Sequence, residues 1–125
     1  MIDIGVNLSN PRFANDIIDT LKRATQAGVK KLVLTGTSID ESRSVLAICE
    51  NYSELFPEML YATAGIHPHD ASTLHTESIC ILRELAARPE VVAIGEMGLD
   101  FNRNFSTPAE QEKAFEAQLE LAIEL

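Results

Sequence analysis

A carboxylate stands at the end of a short apolar segment late in this 125-residue chain. The run Val91-Val-Ala-Ile-Gly-Glu-Met-Gly-Leu-Asp-Phe101 begins as a β-branched strand pattern and then breaks at two glycines that flank Glu96. A charge at the end of an apolar strand is costly to desolvate unless a cation or hydrogen bonds compensate it. Glu96 is therefore a candidate metal ligand or general base, and the alternative is a carboxylate that caps its own loop.

Two histidines follow another apolar segment, Met59–Ala64, in the sequence Gly65-Ile-His-Pro-His-Asp70. His67 and His69 are candidates for contacting a metal or a phosphate, although histidines beside a proline turn often bond only backbone carbonyls. The carboxyl ends of parallel strands converge on one edge of a sheet, so the polar residues there should lie together. Their oxygen and imidazole donors suit a divalent cation. These strand-end residues are Asp3, Asn7, Thr35, Thr37, His67, His69, Asp70, Glu96 and Asp100.

Four strand–helix units are predicted, because strand patterns begin near residues 2, 31, 59 and 91 and a helical pattern follows each one. This repeat is typical of a parallel sheet, either doubly wound or closed into a barrel. The first turn contains only Gly5 and lacks the glycine fingerprint of a dinucleotide site. Capping boxes at Ser38–Glu41 and Thr107–Glu110 predict the starts of two helices.

The other helix boundaries and the buried helix faces follow from the apolar spacing. Asn10-Pro11 predicts the start of the first helix, and residues 72–88 are predicted as the third. On the last helix the apolar residues are expected to face the core, and they are Phe115, Leu119, Ala122 and Ile123.

A complete (β/α)₈ barrel takes roughly 250 residues. This chain has 125 and stops inside its fourth helix, and four strands alone would leave two open edges. We therefore expect this chain to be the first half of a larger protein or a partial gene product.

The composition, with 46% hydrophobic and 23% charged residues, is that of a globular protein. No apolar run reaches the length of a membrane span, and the start of the chain has no export signal pattern. Cys49 and Cys80 are expected to be small buried thiols in a reducing compartment, which favours the cytoplasm. The net charge of −9 weakly disfavours nucleic-acid binding, but much of it is predicted to lie on the surface of the last helix.

Gly65-Ile-His-Pro-His69 and Ile94-Gly-Glu-Met-Gly-Leu-Asp-Phe101 resemble the signature segments of the TatD family of metal-dependent deoxyribonucleases. The similarity extends over the whole chain. It implies a TIM-barrel hydrolase domain, of which residues 1–125 form the N-terminal half with the first four βα units, so the short chain alone is expected to be inactive. The enzyme is expected to use a divalent cation such as Mg²⁺, with Mn²⁺ and Zn²⁺ as alternatives. The expected substrate is single-stranded DNA degraded from the 3′ end, with RNA as a further possibility, and the oligomeric state is left open.

The resemblance implies that Glu96 binds metal and that His67 lies near the metal and phosphate. His69 and Arg103 are candidate substrate contacts, and a solvent-exposed loop arginine is the alternative for Arg103. Asp100 is expected to orient a neighbouring group. Most of the wider family has Asp-x-His-x-His at the end of the first strand, whereas this chain keeps only the aspartate.

That aspartate is Asp3, and Gly5 and Asn7 stand where the wider family has its two histidines. Asp3 and Asn7 are therefore expected to lie around the metal ligands rather than to be the main ligands themselves. Loss of imidazole ligands should shift the preference from zinc toward magnesium or manganese.

Two other functions are compatible with the sequence. One is a TIM-barrel metal hydrolase that cleaves an ester, such as a D-aminoacyl-tRNA deacylase. The other is an inactive fragment or assembly unit, which would expose an apolar sheet face and self-associate.

Overall fold

The computed structural model describes all residues from Met1 to Leu125. Four parallel strands form one sheet in the order β1-β2-β3-β4, each followed by a helix. The strands are β1 (Ile2–Val6), β2 (Lys31–Leu34), β3 (Leu60–Ala64) and β4 (Val91–Ile94). The helices are α1 (Ile17–Gln26), α2 (Ile39–Tyr52), α3 (Ser78–Ala86) and α4 (Pro108–Glu124). The predicted βα repeat is thus confirmed.

Strand register places the carboxyl ends of the strands level with one another. Leu34 pairs with Ala62, and Ala64 pairs with Ile94, so the loops that leave these strands begin at one edge of the sheet. β1 and β4 each bond to a single neighbour, which leaves the two outer edges of the sheet unpaired.

Two helix starts differ from their predictions. Pro11–Phe13 is a 3₁₀ turn capped by Asn10, and α1 begins only at Ile17. The third helix begins at Ser78 rather than at residue 72, because the preceding Pro68–Thr73 segment also forms a 3₁₀ helix. Pro68 and Ala71 of that segment are buried, so tertiary packing overrides the helical pattern there.

The core consists of two clusters. The larger one packs α1 and α2 against the sheet and contains Leu21, Leu34 and Val45, none of which is accessible to solvent. The smaller one joins the loop after β3 to α3 and α4 through Ile66, Leu82 and Leu121.

The buried face of α4 is not the predicted apolar stripe. Ile123 is 84% exposed, and Leu119 and Ala122 are exposed as well. The buried residues of this helix are Gln111, Ala114, Gln118 and Leu121. The apolar spacing therefore identified the wrong face, because amides that satisfy their hydrogen bonds occupy the inner one.

Apolar side chains lie exposed along both outer strands, including Ile2 and Ile4 of β1 and Val92 of β4. A cavity of about 460 Å³ beside β4 is lined only by hydrophobic residues of β4, α3, α4 and the final Leu125. The expected open apolar face is therefore present in these 125 residues.

The two cysteines differ in environment. Cys49 is buried, and burial, with a smaller effect of the nearby Glu90 carboxylate, raises the pKa of its thiol to about 12. Cys80 is exposed on α3, so the prediction that both thiols are buried is wrong for Cys80. None of the helices has the length and apolar character needed to cross a bilayer.

Replacing Ile4 tests whether the face of β1 is open in the 125-residue protein. Ile4→Thr retains a β-branched side chain and should change the free energy of unfolding by no more than about 0.5 kcal/mol, because Ile4 is 73% exposed. Leu34→Ala, in the buried core, should cost about 2–5 kcal/mol. Urea unfolding measures both. A loss of stability with Ile4→Thr that approaches the loss with Leu34→Ala would show that a second molecule covers this face.

Candidate functional site

Main-chain hydrogen bonds connect the loops at the carboxyl ends of the strands. The amide of Glu96 donates to the carbonyl of Gly36 (2.8 Å), and the amide of His67 donates to the carbonyl of Thr37 (2.8 Å). The loops after β3 and β4 are thus each fixed to the loop after β2. These bonds satisfy main-chain groups of the three loops and connect the loops to one another.

Gly65 allows the loops after β3 and β4 to approach closely. A Cβ atom on Gly65 would lie 2.6 Å from the carbonyl oxygen of Gly95, a distance that no side chain can occupy without moving the backbone. Only glycine at position 65 therefore permits the main chains of these two loops to approach this closely.

A polar cavity of about 450 Å³ opens at this edge of the sheet. Its lining contains no hydrophobic side chain, and it holds two carboxylates without any lysine or arginine. The residues that line it are Gly5, Asn7, Ser9, Asn10, Pro11, Thr35, Thr37, Glu41 and Glu96. The cavity therefore offers mainly oxygen atoms and a negative charge.

Glu41 enters this cavity instead of completing the predicted capping box. Ser38 does accept a hydrogen bond from the amide of Glu41 (3.1 Å), as an N-cap should. The carboxylate of Glu41, however, accepts a hydrogen bond from the hydroxyl of Ser9 in the loop after β1. A residue that the sequence assigns to helix capping thus links α2 to the first strand-end loop.

Glu96, which lines the cavity, lies beside His67. Nε2 of His67 lies 3.5 Å from Oε1 of Glu96. Nδ1 of His67 accepts a hydrogen bond from the amide of His69 (3.0 Å), so the neutral ring carries its proton on Nε2. His67 is therefore oriented with a donor facing the carboxylate, and Glu96 itself is half exposed.

His69 pairs with Asp100 rather than with Glu96. Nε2 of His69 lies 2.9 Å from Oδ2 of Asp100, and the rings of His67 and His69 meet edge to face with centroids 4.3 Å apart. The hydrogen bond from His69 holds the pKa of Asp100 below its ordinary value, and the amides of Arg103 and Asn102 add to this effect. Asp100 thus remains ionised and keeps His69 in place.

The structure brings some of the predicted site residues together and leaves two apart. Asn7 and Glu96 share the cavity, His67 lies beside Glu96, and His69 and Asp100 form a pair behind it. Asp3 is exposed on β1 and does not line the cavity. The side chain of Arg103 is exposed, and only its backbone amide contacts the site, through Asp100.

The donor atoms at the cavity are of the chemical types that bind a divalent cation, but too few of them converge to hold one. Carboxylate, amide and hydroxyl oxygens with a nearby imidazole are ligands that Mg²⁺ and Mn²⁺ accept. No group of three histidine, cysteine, aspartate or glutamate side chains converges closely enough to hold a metal ion. These 125 residues therefore do not form a complete metal site on their own.

Sequence reasoning missed four polar residues that organise the site, namely Glu41, Ser106, Gln111 and Gln118. The hydroxyl of Ser106 donates to the carbonyl of His69 (3.0 Å), and both glutamines bond to loop main chain. A signal was available for the glutamines, because they stand seven residues apart and so lie on one face of α4.

The Asp100–His69 pair predicts an acid-dependent loss of stability. The pKa of Asp100 in the folded state lies below its ordinary value of about 4. The ionised carboxylate therefore stabilises the fold at pH values above about 4, and this stabilisation is lost as the pH falls through the folded-state pKa. The difference in free energy of unfolding between the wild type and Asp100→Asn should therefore shrink between pH 6 and pH 3. Asp40→Asn, which changes a 99% exposed carboxylate, is the control for the same substitution outside the site. Urea unfolding at several pH values measures this, and a constant difference for Asp100→Asn would contradict it.

Comparison with known proteins identifies the family of this chain. The sequence matches the family described as "TatD related DNase" over residues 2–125. It is 54% identical to the 3'-5' ssDNA/RNA exonuclease TatD of Salmonella typhimurium over 125 residues, which are 46% of that protein.

Two solved structures superpose on the chain. The superposition with the hydrolase TatD family protein from Entamoeba histolytica has a TM-score of 0.90 at 29% sequence identity. It covers 99% of this chain and 46% of the Entamoeba histolytica protein. The superposition with the TatD homolog from Escherichia coli has a TM-score of 0.82 at 34% sequence identity, and it covers 98% of this chain and 46% of that protein. The chain spans about half the length of these relatives and corresponds to the first four βα units of their barrel, as expected. This chain belongs to the TatD family.

Proposed function

We propose that the chain is the N-terminal half of a metal-dependent nuclease that removes nucleotides from the 3′ end of single-stranded DNA, with RNA as a second substrate. The observation that carries this proposal is the polar cavity, which contains Glu41 and Glu96 and no basic side chain. An anionic phosphodiester would be repelled there unless a divalent cation lay between the carboxylates and the phosphate. The name of the Salmonella typhimurium relative supports the substrate class.

Mg²⁺ is the cation that best fits the donors, with Mn²⁺ as the nearest alternative. Glu96 would hold it, and the amide oxygen of Asn7 replaces the imidazole that would favour zinc. When bound, a divalent cation lowers the pKa of a water ligand and offsets negative charge on the phosphoryl oxygens. The remaining ligands belong to the part of the barrel that these 125 residues do not include.

His67 is the residue of this chain best placed to donate a proton or a hydrogen bond to the substrate. Its Nε2–H faces Glu96, while Nδ1 is occupied by the amide of His69. We assign to His67 the contact with a phosphoryl or leaving oxygen. His69 is held by Asp100, so it serves to orient His67, and Arg103 is free to contact a neighbouring phosphate.

Substitution of Glu96 tests this function in a protein extended by four further βα units. Glu96→Gln keeps the shape of the side chain and removes its charge. Changes to residues that merely support metal ligands cost about 10–100-fold in activity, so the loss of a direct ligand should cost at least about 100-fold. Glu112→Gln, on the exposed surface of α4, is the matched control and should retain full activity. The measurement is the shortening of a 5′-labelled single-stranded oligonucleotide in Mg²⁺ and in EDTA.

Two results would contradict the proposal. Near-normal activity of Glu96→Gln would remove Glu96 from the metal site. Metal-dependent turnover by the unextended 125-residue protein would show that its own residues complete the coordination shell. An ester substrate hydrolysed in preference to the oligonucleotide would instead favour the deacylase alternative.

A further inference from the structure

The inner face of α4 carries two glutamines where a helix in a core normally carries apolar residues. Gln111 is 1% exposed and Gln118 is fully buried. A buried amide costs free energy unless its donors and its acceptor are all bonded, so the partners of these side chains require an explanation.

Each glutamine pairs with both main-chain groups of one loop residue. Oε1 of Gln118 accepts from the amide of Ile66 (2.7 Å), and its Nε2 donates to the carbonyls of Ile66 (3.0 Å) and Ala114 (3.0 Å). Ile66 immediately precedes His67. The side chain thus bonds the loop after β3 much as a neighbouring strand would.

Gln111 repeats the arrangement two helical turns earlier. Its Oε1 accepts from the amide of Asp100 (2.7 Å), and its Nε2 donates to the carbonyls of Asp100 (3.0 Å) and Ser106 (2.9 Å). Asp100 in turn holds His69 through its side chain. Every donor and acceptor of both glutamine side chains is therefore used on the loops or on the helix itself.

The two amides lie at opposite ends of one hydrogen-bonded unit. Gln118 holds the residue before His67, the amide of His69 bonds to the ring of His67, and Gln111 holds the aspartate that binds His69. An apolar residue of similar size would fill the same space, so volume alone does not call for glutamine at either position. Because the glutamines bond both main-chain polar groups of Ile66 and of Asp100, they are suited to orienting these two loop residues.

We propose that Gln111 and Gln118 are positioning residues that fix the orientation of the His67–His69 pair through the main chain of Asp100 and Ile66. The functional importance of that pair rests on the nuclease activity proposed above. The role in positioning does not, because it is a property of the protein without substrate or metal.

Solution NMR of the 125-residue protein, without DNA or metal, tests the proposal directly. Gln111→Met should abolish the downfield Nε2–H proton resonance of His69 that its bond to Asp100 produces, while His67 keeps its ring ¹⁵N shifts. Gln118→Met should move the ring ¹⁵N shifts of His67 while the resonance of His69 persists. Leu21→Ala, buried in the other core cluster, is the control that lowers stability without touching either loop. Equal effects of all three substitutions on the histidine resonances, or no effect of the two glutamine variants, would overturn the proposal.

Hydrogen exchange on the wild-type protein provides a second test that needs no folded variant. The single hydrogen bond that each amide donates to a glutamine Oε1 predicts that the amides of Ile66 and Asp100 exchange at least about tenfold more slowly than in an unstructured peptide. Exchange at the unprotected rate would overturn the proposal even if the methionine variants failed to fold. Neither experiment involves catalysis, so failure here is separable from failure of the nuclease proposal.

Discussion

The site depends on one constraint, which is that the loops leaving the strands must satisfy their buried polar groups with one another and with the helices beside them. The amides of Glu96 and His67 bond to carbonyls of the loop after β2. The hydroxyl of the buried Ser42 accepts from the amide of Gly65 (3.1 Å) and lies in α2, below that loop. Since an unpaired buried amide costs about 1–3 kcal/mol, these bonds leave little freedom in the positions of the side chains that they carry. The geometry of Glu96 and His67 follows from the main chain around them.

The distribution of charge is understandable once that geometry is fixed. The protein is acidic overall, and the cavity itself contains carboxylates and no basic group. A site of this kind attracts cations and repels phosphate, so the binding of nucleic acid requires a metal ion or basic residues from elsewhere. The net charge of −9 is therefore compatible with a nucleic-acid substrate, although it appears in the sequence as weak evidence against one.

Much of the fold and part of the site were predictable from the sequence. The βα period gave the four parallel strands, and the rule that strand ends converge brought Glu96 near His67. The start of α3 was predicted too early in the chain. The buried face of α4 was also predicted wrongly, because hydrophobic spacing cannot show that the side-chain amides of Gln111 and Gln118 form hydrogen bonds with loops. For the same reason the carboxylate of Glu41 was assigned to a cap, although Ser9 is its partner. Polar contacts between residues distant in sequence depend on tertiary structure and leave no periodic signal.

In the proposed function, Glu96 and the strand-end residues near it form part of a divalent-cation site. Substoichiometric Mn²⁺ added to the ¹⁵N-labelled 125-residue protein would reveal such a site by paramagnetic broadening. We expect broadening of amide resonances centred on Glu96 and reaching Asn7 and Thr37, and loss of this broadening in Glu96→Gln. Broadening centred instead on the exposed acidic surface of α4, around Glu112 and Glu116, would contradict it.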